Sequence, residues 1–385
     1  MANNSIIKSF KLFLKEVKHL NTLLNDANKS TRRITFYSEK DIYFQYYDGL
    51  IDSILTNSDL NVAYITSDPS DPAFHINTRI RPFYIKHTLN YAISRLDSKI
   101  LIMTMPDLNN FFIKRSPNQV EHIYVFHAIV STHMQYRSGA FNGYDTIFCV
   151  GPHHVKEIRK TEEIYHLAPK KLIHCGYQRL EKIYRDHQKF SKRTSNDSQK
   201  IILIAPTWGD SNILESCIGE IISILSNTKF RVFIRPHPEF VKRRPSLLEN
   251  IRKRLLNVRN IELELDLVSD LNVHKADLLI TDRSGIAYEY AFGTERPVLF
   301  INTPLKINNP EYSKLDIEPI EVSLRSKIGK ALLLSEVDRL EDTIHHLISS
   351  RQDYSRDIAR LRSEYIFNWM ESAQIGCDYV LKRVS

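Results

Sequence analysis

Three polar clusters in this 385-residue chain each follow an apolar run. Pro206-Thr207-Trp208 follows IILIA, Arg235-Pro236-His237-Pro238-Glu239 follows VFI, and Thr281-Asp282-Arg283-Ser284-Gly285 follows DLLI. The last two contain groups that can handle a phosphate. In the last cluster, Asp282 and Ser284 are good helix N-cap types, and Gly285 lets another group come close to the first helical turn. Unpaired amides at that helix start, with the positive end of its dipole, suit an anion. Arg283 can add a charge-assisted bond, and Glu289, about a turn further on, can take a ribose hydroxyl. An ordinary capped helix would use Asp282 and Ser284 in the same way without a ligand. His237 stands between two prolines that stiffen its backbone, next to the cation Arg235, so it can meet a phosphate oxygen or move a proton.

The first half of the chain adds a histidine at a strand end. HIYVFHAI places His127 where it can take a proton from an acceptor hydroxyl. Ser131, Thr132 and His133 follow it, and Gly176-Tyr177-Gln178-Arg179 forms a later turn, which makes Ser131, Thr132, His133 and Arg179 acceptor-side candidates.

The elements that must hold these groups are strands alternating with helices. Apolar runs at 34–39, 61–68, 99–108, 122–129, 144–151 and 171–176 are separated by helix-length segments, including one near 82–96. Residues 185–199 are polar and break the pattern. It restarts with runs at 200–208, 230–238, 260–266, 276–282 and 296–302, and the last stretch, 359–384, reads as one long helix. This alternation predicts mainly parallel sheets of the α/β class. The expected organisation is two Rossmann-like domains facing across a cleft. They comprise an acceptor-side domain 1–184, a linker 185–199, a donor domain 200–358 and a closing helix 359–385 that crosses back. In open parallel sheets ligands bind beyond the carboxyl ends of the strands, where all three clusters fall.

Composition narrows the chemistry. Lys and Arg number 53 against 45 Asp and Glu, a net charge of +8 that suits anionic partners. These cations are dispersed and no nucleic-acid motif is present, so no nucleic-acid partner is expected. No P-loop, G-x-G-x-x-G or G-x-S-x-G motif occurs, and no metal ligand set stands out. The expectation is a metal-free site without a cofactor. Four scattered cysteines, no apolar run of the ~18 residues a bilayer span needs, and a lysine-interrupted N-terminus predict a cytoplasmic protein. Residues 5–25 read as a basic amphipathic helix. It is expected to pack on the first domain, with peripheral contact to the inner face of the membrane as the other reading.

In this order, the clusters resemble the CDP-glycerol glycerophosphotransferase family, which builds teichoic-acid-like phosphopolymers. Ala205-Pro206-Thr207-Trp208 and Arg235-Pro236-His237-Pro238 match its A-P-T-W and R/K-P-H-P turns, and Thr281-Asp282-Arg283-Ser284-Gly285 stands at its T-D-Y-S-S turn. Ala128 replaces a glycine, and Arg283 and Gly285 replace a tyrosine and a serine. The resemblance implies the GT-B fold and a CDP-glycerol or other CDP- or CMP-linked donor. It implies a polyol-phosphate transfer to a hydroxyl of a lipid-linked or polymeric surface glycan. By the same resemblance His127 is the general base and His237 a donor-phosphate contact. Asp282, Ser284 and Gly285 hold the diphosphate, and Thr207 and Trp208 lie near the nucleotide. The alternative is a GT-B glycosyltransferase that uses a CMP- or UDP-linked sugar in surface polysaccharide synthesis.

Overall fold

The computed structural model describes residues 2–76, 79–193, 199–266 and 269–385. The chain divides into two units: Met1–His127, Tyr136–Arg179 and Ile366–Ser385 form the first, and Ala128–Gln135 with Leu180–Tyr365 form the second.

The first unit is built on seven strands: β1 (Ile34–Ser38), β2 (Val62–Thr66), β3 (Ile80–Tyr84), β4 (Ile100–Met103), β5 (Glu121–Val125), β6 (Thr146–Cys149) and β7 (Lys171–His174). They lie in the order β3-β2-β1-β4-β5-β6-β7, and every pair is parallel. Every residue of β1, β2 and β4 is buried, as expected where helices cover both faces. The strand β3 overlaps the start of the segment expected to be helical, 82–96. Pro82 is tolerated there because β3 is an edge, where a missing N–H costs no ladder bond.

The second unit holds β8 (Ile201–Ile204), β9 (Arg231–Ile234), β10 (Ile261–Leu263), β11 (Leu278–Thr281), β12 (Val298–Asn302) and β13 (Gly329–Leu333). Their order is β10-β9-β8-β11-β12-β13, again all parallel. Its core joins Ile202, Ile204, Val232, Ile234 and Ile280 to helix residues such as Ile221 and Leu225.

Two expected boundaries change. The polar stretch 185–193 is not linker but the second half of the helix Gln178–Arg193; residues 194–198 lie outside the described residues. That helix is sparse in apolar residues yet anchors Leu180 and Ile183 in full burial. The closing helix is two helices, Arg351–Tyr365 and Ser372–Val384. Between them Asn368 and Met370 take positive φ, 42° and 72°. The break is held by non-helical partners: Phe367 N donates to Val150 O at 2.9 Å, its ring stacks on His174 at 4.1 Å, and Asn368 donates to the His174 carbonyl. After the break the chain returns to the first unit, where Cys377, Val380 and Val384 join the core.

The helix Ala2–Leu24 packs on β3 and on the helix Leu89–Arg95. Among the described side chains, the buried ones lie in its second half. Leu20 and Leu23 are buried, and the Glu16 carboxylate accepts from Lys86 N and Thr88 N. Ile7, Phe10, Phe13 and Leu14 stay exposed, at 53%, 61%, 46% and 52%. No helix among the described residues is long and apolar enough to cross a membrane.

Candidate active site

The three clusters converge because their strands are neighbours. Ile204 of β8 pairs with Ile234 of β9 on one side and with Ile280 of β11 on the other. Each strand then ends at the same level, so the three polar turns share one carboxyl edge.

Asp282 binds this edge together from within. It is fully buried, and its carboxylate accepts from Thr207 N at 2.7 Å, Ile213 N at 3.1 Å and Arg283 N at 2.6 Å. Burial pushes its carboxyl upward, and those amides oppose the shift. Expected to hold the diphosphate, Asp282 instead fixes the Thr207-Trp208 turn. Its oxygens are already occupied, and its negative charge would repel a phosphate. Ser284 was expected to cap the helix Ile286–Thr294. The capping position is Gly285, and no side chain caps the helix start. Gly285 does face a close approach, but by the chain itself: a Cβ there would meet Val130 Cγ1 at 3.1 Å and Ala128 Cβ at 3.6 Å. Glu289 lies in the first turn of the same helix, part-buried.

His237 sits at the N-cap of the short helix Pro238–Arg243 and accepts from Glu239 N on Nδ1 at 3.1 Å. A neutral ring then carries its proton on Nε2, which makes that nitrogen a donor suited to a phosphate oxygen. Its ring lies 6.1 Å from that of Trp208. Arg235 was expected beside a donor phosphate. It is 8% exposed, donates to Ser269 O at 2.8 Å and faces Glu264 at 4.0 Å, so much of its charge serves the framework.

In the first unit, His127 follows β5 among three tyrosines. Tyr43, Tyr46 and Tyr136 set their rings edge-on to it at 5.7, 6.0 and 6.3 Å. Its Nδ1 is buried without a hydrogen-bond partner. Burial lowers the imidazole to about 4, with the Thr104 backbone partly opposing. The ring is therefore neutral at physiological pH, the form a base must have. An anionic substrate brought beside it would raise the value again.

The profile of the CDP-glycerol:poly(glycerophosphate) glycerophosphotransferase family matches residues 17–309. The chain belongs to this family. No curated protein matches the sequence. Among solved structures, the wall teichoic acid polymerase TagF soaked with CDPG matches with a TM-score of 0.64 at 13% identity, over 98% of each chain. UDP-GlcNAc 2-epimerase from Neisseria meningitidis, bound to UDP-GlcNAc, matches at 0.60 and 14% identity, over 91% of this chain and 99% of that one. These likenesses show the fold, the GT-B type. Membership makes the protein a transferase of the CDP-glycerol-dependent kind that serves cell-wall polymer synthesis.

Of the four predicted acceptor-side residues, Ser131, Thr132 and His133 lie in the second unit and Arg179 in the first. Residues 128–135 belong to the second unit, although His127 belongs to the first. Ser131, Thr132 and His133 are 0%, 5% and 4% exposed. Ser131 N donates to Glu321 at 2.8 Å, and the His133 ring meets Ile317 O at 3.0 Å. Asn309 donates to His133 O at 2.9 Å, and Gln135 donates to Lys306 O at 2.9 Å. The segment is a brace for the loop after β12. Strand-following order suggested an acceptor role because sequence alone does not show the chain changing units. Arg179 is buried on the first turn of the helix Gln178–Arg193.

Two cations of this edge were missed. Arg325 donates to Asp282 O at 3.1 Å and to Asn302 Oδ1 at 2.7 Å. Burial, then repulsion from Arg283, lowers it to about 10. Arg283 itself donates twice to Thr303 O at 3.2 Å, and burial lowers it as well. Lys306 lies with its ammonium 4.0 Å from the centroid of the Trp208 ring. Lys306 follows β12, the strand beside β11, so reading the turn after that fourth strand would have found it. Arg325 carries no comparable signal, since only the fold returns it to the edge.

Several histidines of this glycerophosphotransferase are buried as neutral rings. Burial lowers His127 to about 4 and His187 to about 3, and puts His153 well below its ordinary value. Below pH 6.5 the unfolded chain takes up protons at these rings that the folded chain refuses. Stability is thus intact above that pH and falls as the pH drops toward 4, by up to ~1.4 kcal/mol per pH unit per histidine. The melting temperature should be clearly lower at pH 5 than at pH 7. Equal values at both would contradict the burial of neutral rings.

Proposed function

We propose that this glycerophosphotransferase moves a polyol-phosphate group from a CDP-linked donor to a hydroxyl of a lipid-linked or polymeric glycan, through His127 and His237. The acceptor oxygen attacks the phosphorus that bears the polyol. A new P–O bond forms, the bond to the CMP oxygen breaks, and the hydroxyl proton passes to His127. His237, through an Nε2–H, and the uncapped amides after Ser284 meet the charge that develops on the phosphates. Arg283 adds positive potential, and Thr207 and Trp208 form the nucleotide side. The supporting observation is the placement of three family-like turns on three adjacent strand ends. The test is CMP release from CDP-glycerol, CDP-ribitol, CMP-sugars and UDP-sugars with a lipid-linked acceptor. Turnover of CDP-polyols supports the reading; turnover of a nucleotide sugar alone replaces it with a glycosyltransferase.

The same reading includes peripheral contact with an anionic membrane through the first half of the helix Ala2–Leu24. Exposed Ile7, Phe10, Phe13 and Leu14 form an apolar stripe beside Lys8, Lys11 and Lys18. Such a stripe inserts at a lipid interface while the lysines meet anionic headgroups. The double variant Phe10→Glu, Leu14→Glu should fail to sediment with phosphatidylglycerol vesicles that carry down the wild type. Equal sedimentation would remove this helix from membrane binding.

A further inference from the structure

We propose that Lys306 is a further catalytic residue, which leaves the face of Trp208 to bind the nucleotide-side phosphate of the donor and of the departing nucleotide. The inference deepens the transferase reading and rests on it for the identity of the leaving group.

The backbone of Lys306 is held by a hydrogen bond, and its ammonium meets a ring. Gln135 Nε2 donates to the Lys306 carbonyl at 2.9 Å. Two residues on, Asn308 N donates to Met134 O at 3.0 Å, and Asn308 Nδ2 donates to Gln135 O at 2.7 Å. The buried brace 128–135 thus holds the start of the side chain in place. At its other end the ammonium rests on the Trp208 ring at 4.0 Å, and no carboxylate pairs with it among the described residues. Arg243 lies over the same ring at 5.0 Å, but it is held by Glu239 at 2.9 Å.

Magnitudes favour a move onto phosphate. A cation–π contact is worth ~0.5–2 kcal/mol, and an ammonium–phosphate hydrogen bond in a partly dry site exceeds it. A four-carbon stem lets the charge swing from ring to ligand without backbone motion. The surroundings also fail to satisfy the charge. Burial lowers Lys306 to about 8, with Asp282 opposing at a distance. Asp282 is committed to its three amides, and the arginines near it, Arg283 and Arg325, are committed to carbonyl and amide oxygens. Among the described residues of this edge, Lys306 is a cation whose ammonium meets a ring rather than an oxygen. In the reaction the electron pair of the broken P–O bond stays on the nucleotide phosphate. A lysine that binds there holds the leaving group without giving up its proton.

The experiment compares cytidine with CMP, and uridine with UMP, by calorimetry on the full-length protein and its Lys306→Met and Lys306→Arg variants. The wild type should bind the monophosphate more tightly than the nucleoside. Lys306→Met should lose ~10- to 100-fold of that preference, with nucleoside affinity unchanged. Lys306→Arg should recover part of it. With CDP-glycerol and acceptor, kcat of Lys306→Met should fall at least ~10-fold. Melting curves that overlay the wild type exclude misfolding. A full phosphate preference in Lys306→Met overturns the proposal even if CDP-glycerol is turned over, as does a wild type with no phosphate preference. A Lys306-dependent preference seen only with uridine nucleotides keeps the proposal and instead overturns the CDP-linked donor.

Discussion

Replacing His127 by alanine should lower kcat and kcat/KM together by ~10²-fold or more, because general-base assistance is needed only in the transition state. The ring is already neutral, so the loss cannot come from charge alone. His127→Gln keeps a polar side chain among Tyr43, Tyr46 and Tyr136 but no basic nitrogen, and should be equally impaired. CMP affinity should be unchanged in both, since the candidate nucleotide contacts sit in the second unit. The acid limb of kcat/KM supplies a second reading. Burial holds His127 at about 4 in the free enzyme, so the limb should fall well below pH 6.5. Near-normal turnover in both variants would remove His127 from the mechanism. A limb at pH 6.5 would assign the base to another group.

Asp282→Ala should destabilise the second unit by about 3 kcal/mol or more. It strips the acceptor from three amide donors, and each buried donor left unpaired costs ~1–3 kcal/mol. It also deletes the carboxylate that offsets Arg283, Arg325 and Lys306. A lower urea midpoint is the expected outcome, with activity lost through the displaced Thr207-Trp208 turn. If the variant unfolded at the wild-type urea concentration yet lost nucleotide binding, Asp282 would be a ligand contact and the framework role would fall. This differs from the result at His127, where stability is kept and chemistry is lost.

These outcomes separate what local sequence could say from what it could not. The alternation of apolar runs and helix-length segments is local, because period and burial are written in neighbouring residues. It therefore gave both parallel sheets and placed three polar turns at the ends of their strands. Its failures came where a local rule met a non-local fact. The helix expected near 82–96 gives its first residues to β3, a strand that accepts Pro82 because it is an edge. The polar run 185–193 reads as linker, but its helix is held by Leu180 and Ile183 and by what they pack against. The last helix breaks at 366–371, where Phe367 N donates to Val150 O just after β6 and the Asn368 side chain to His174 O in β7.

By itself the sequence determined the fold class, the family, and which sheet edge gathers the three polar turns. Residue types after strands suffice for that, since a parallel strand's carboxyl end must face the turns that follow it. Only the tertiary structure decided which of those polar groups remain available. Asp282 accepts from three amides, the Cα of Gly285 packs against Ala128 and Val130 while its amide stays uncapped, and Ser131 to His133 are buried as a brace. Lys306, which no motif marks, is left resting on a ring. The physical reason is that a side chain's freedom depends on hydrogen-bond partners supplied by distant segments, and sequence spacing does not record them.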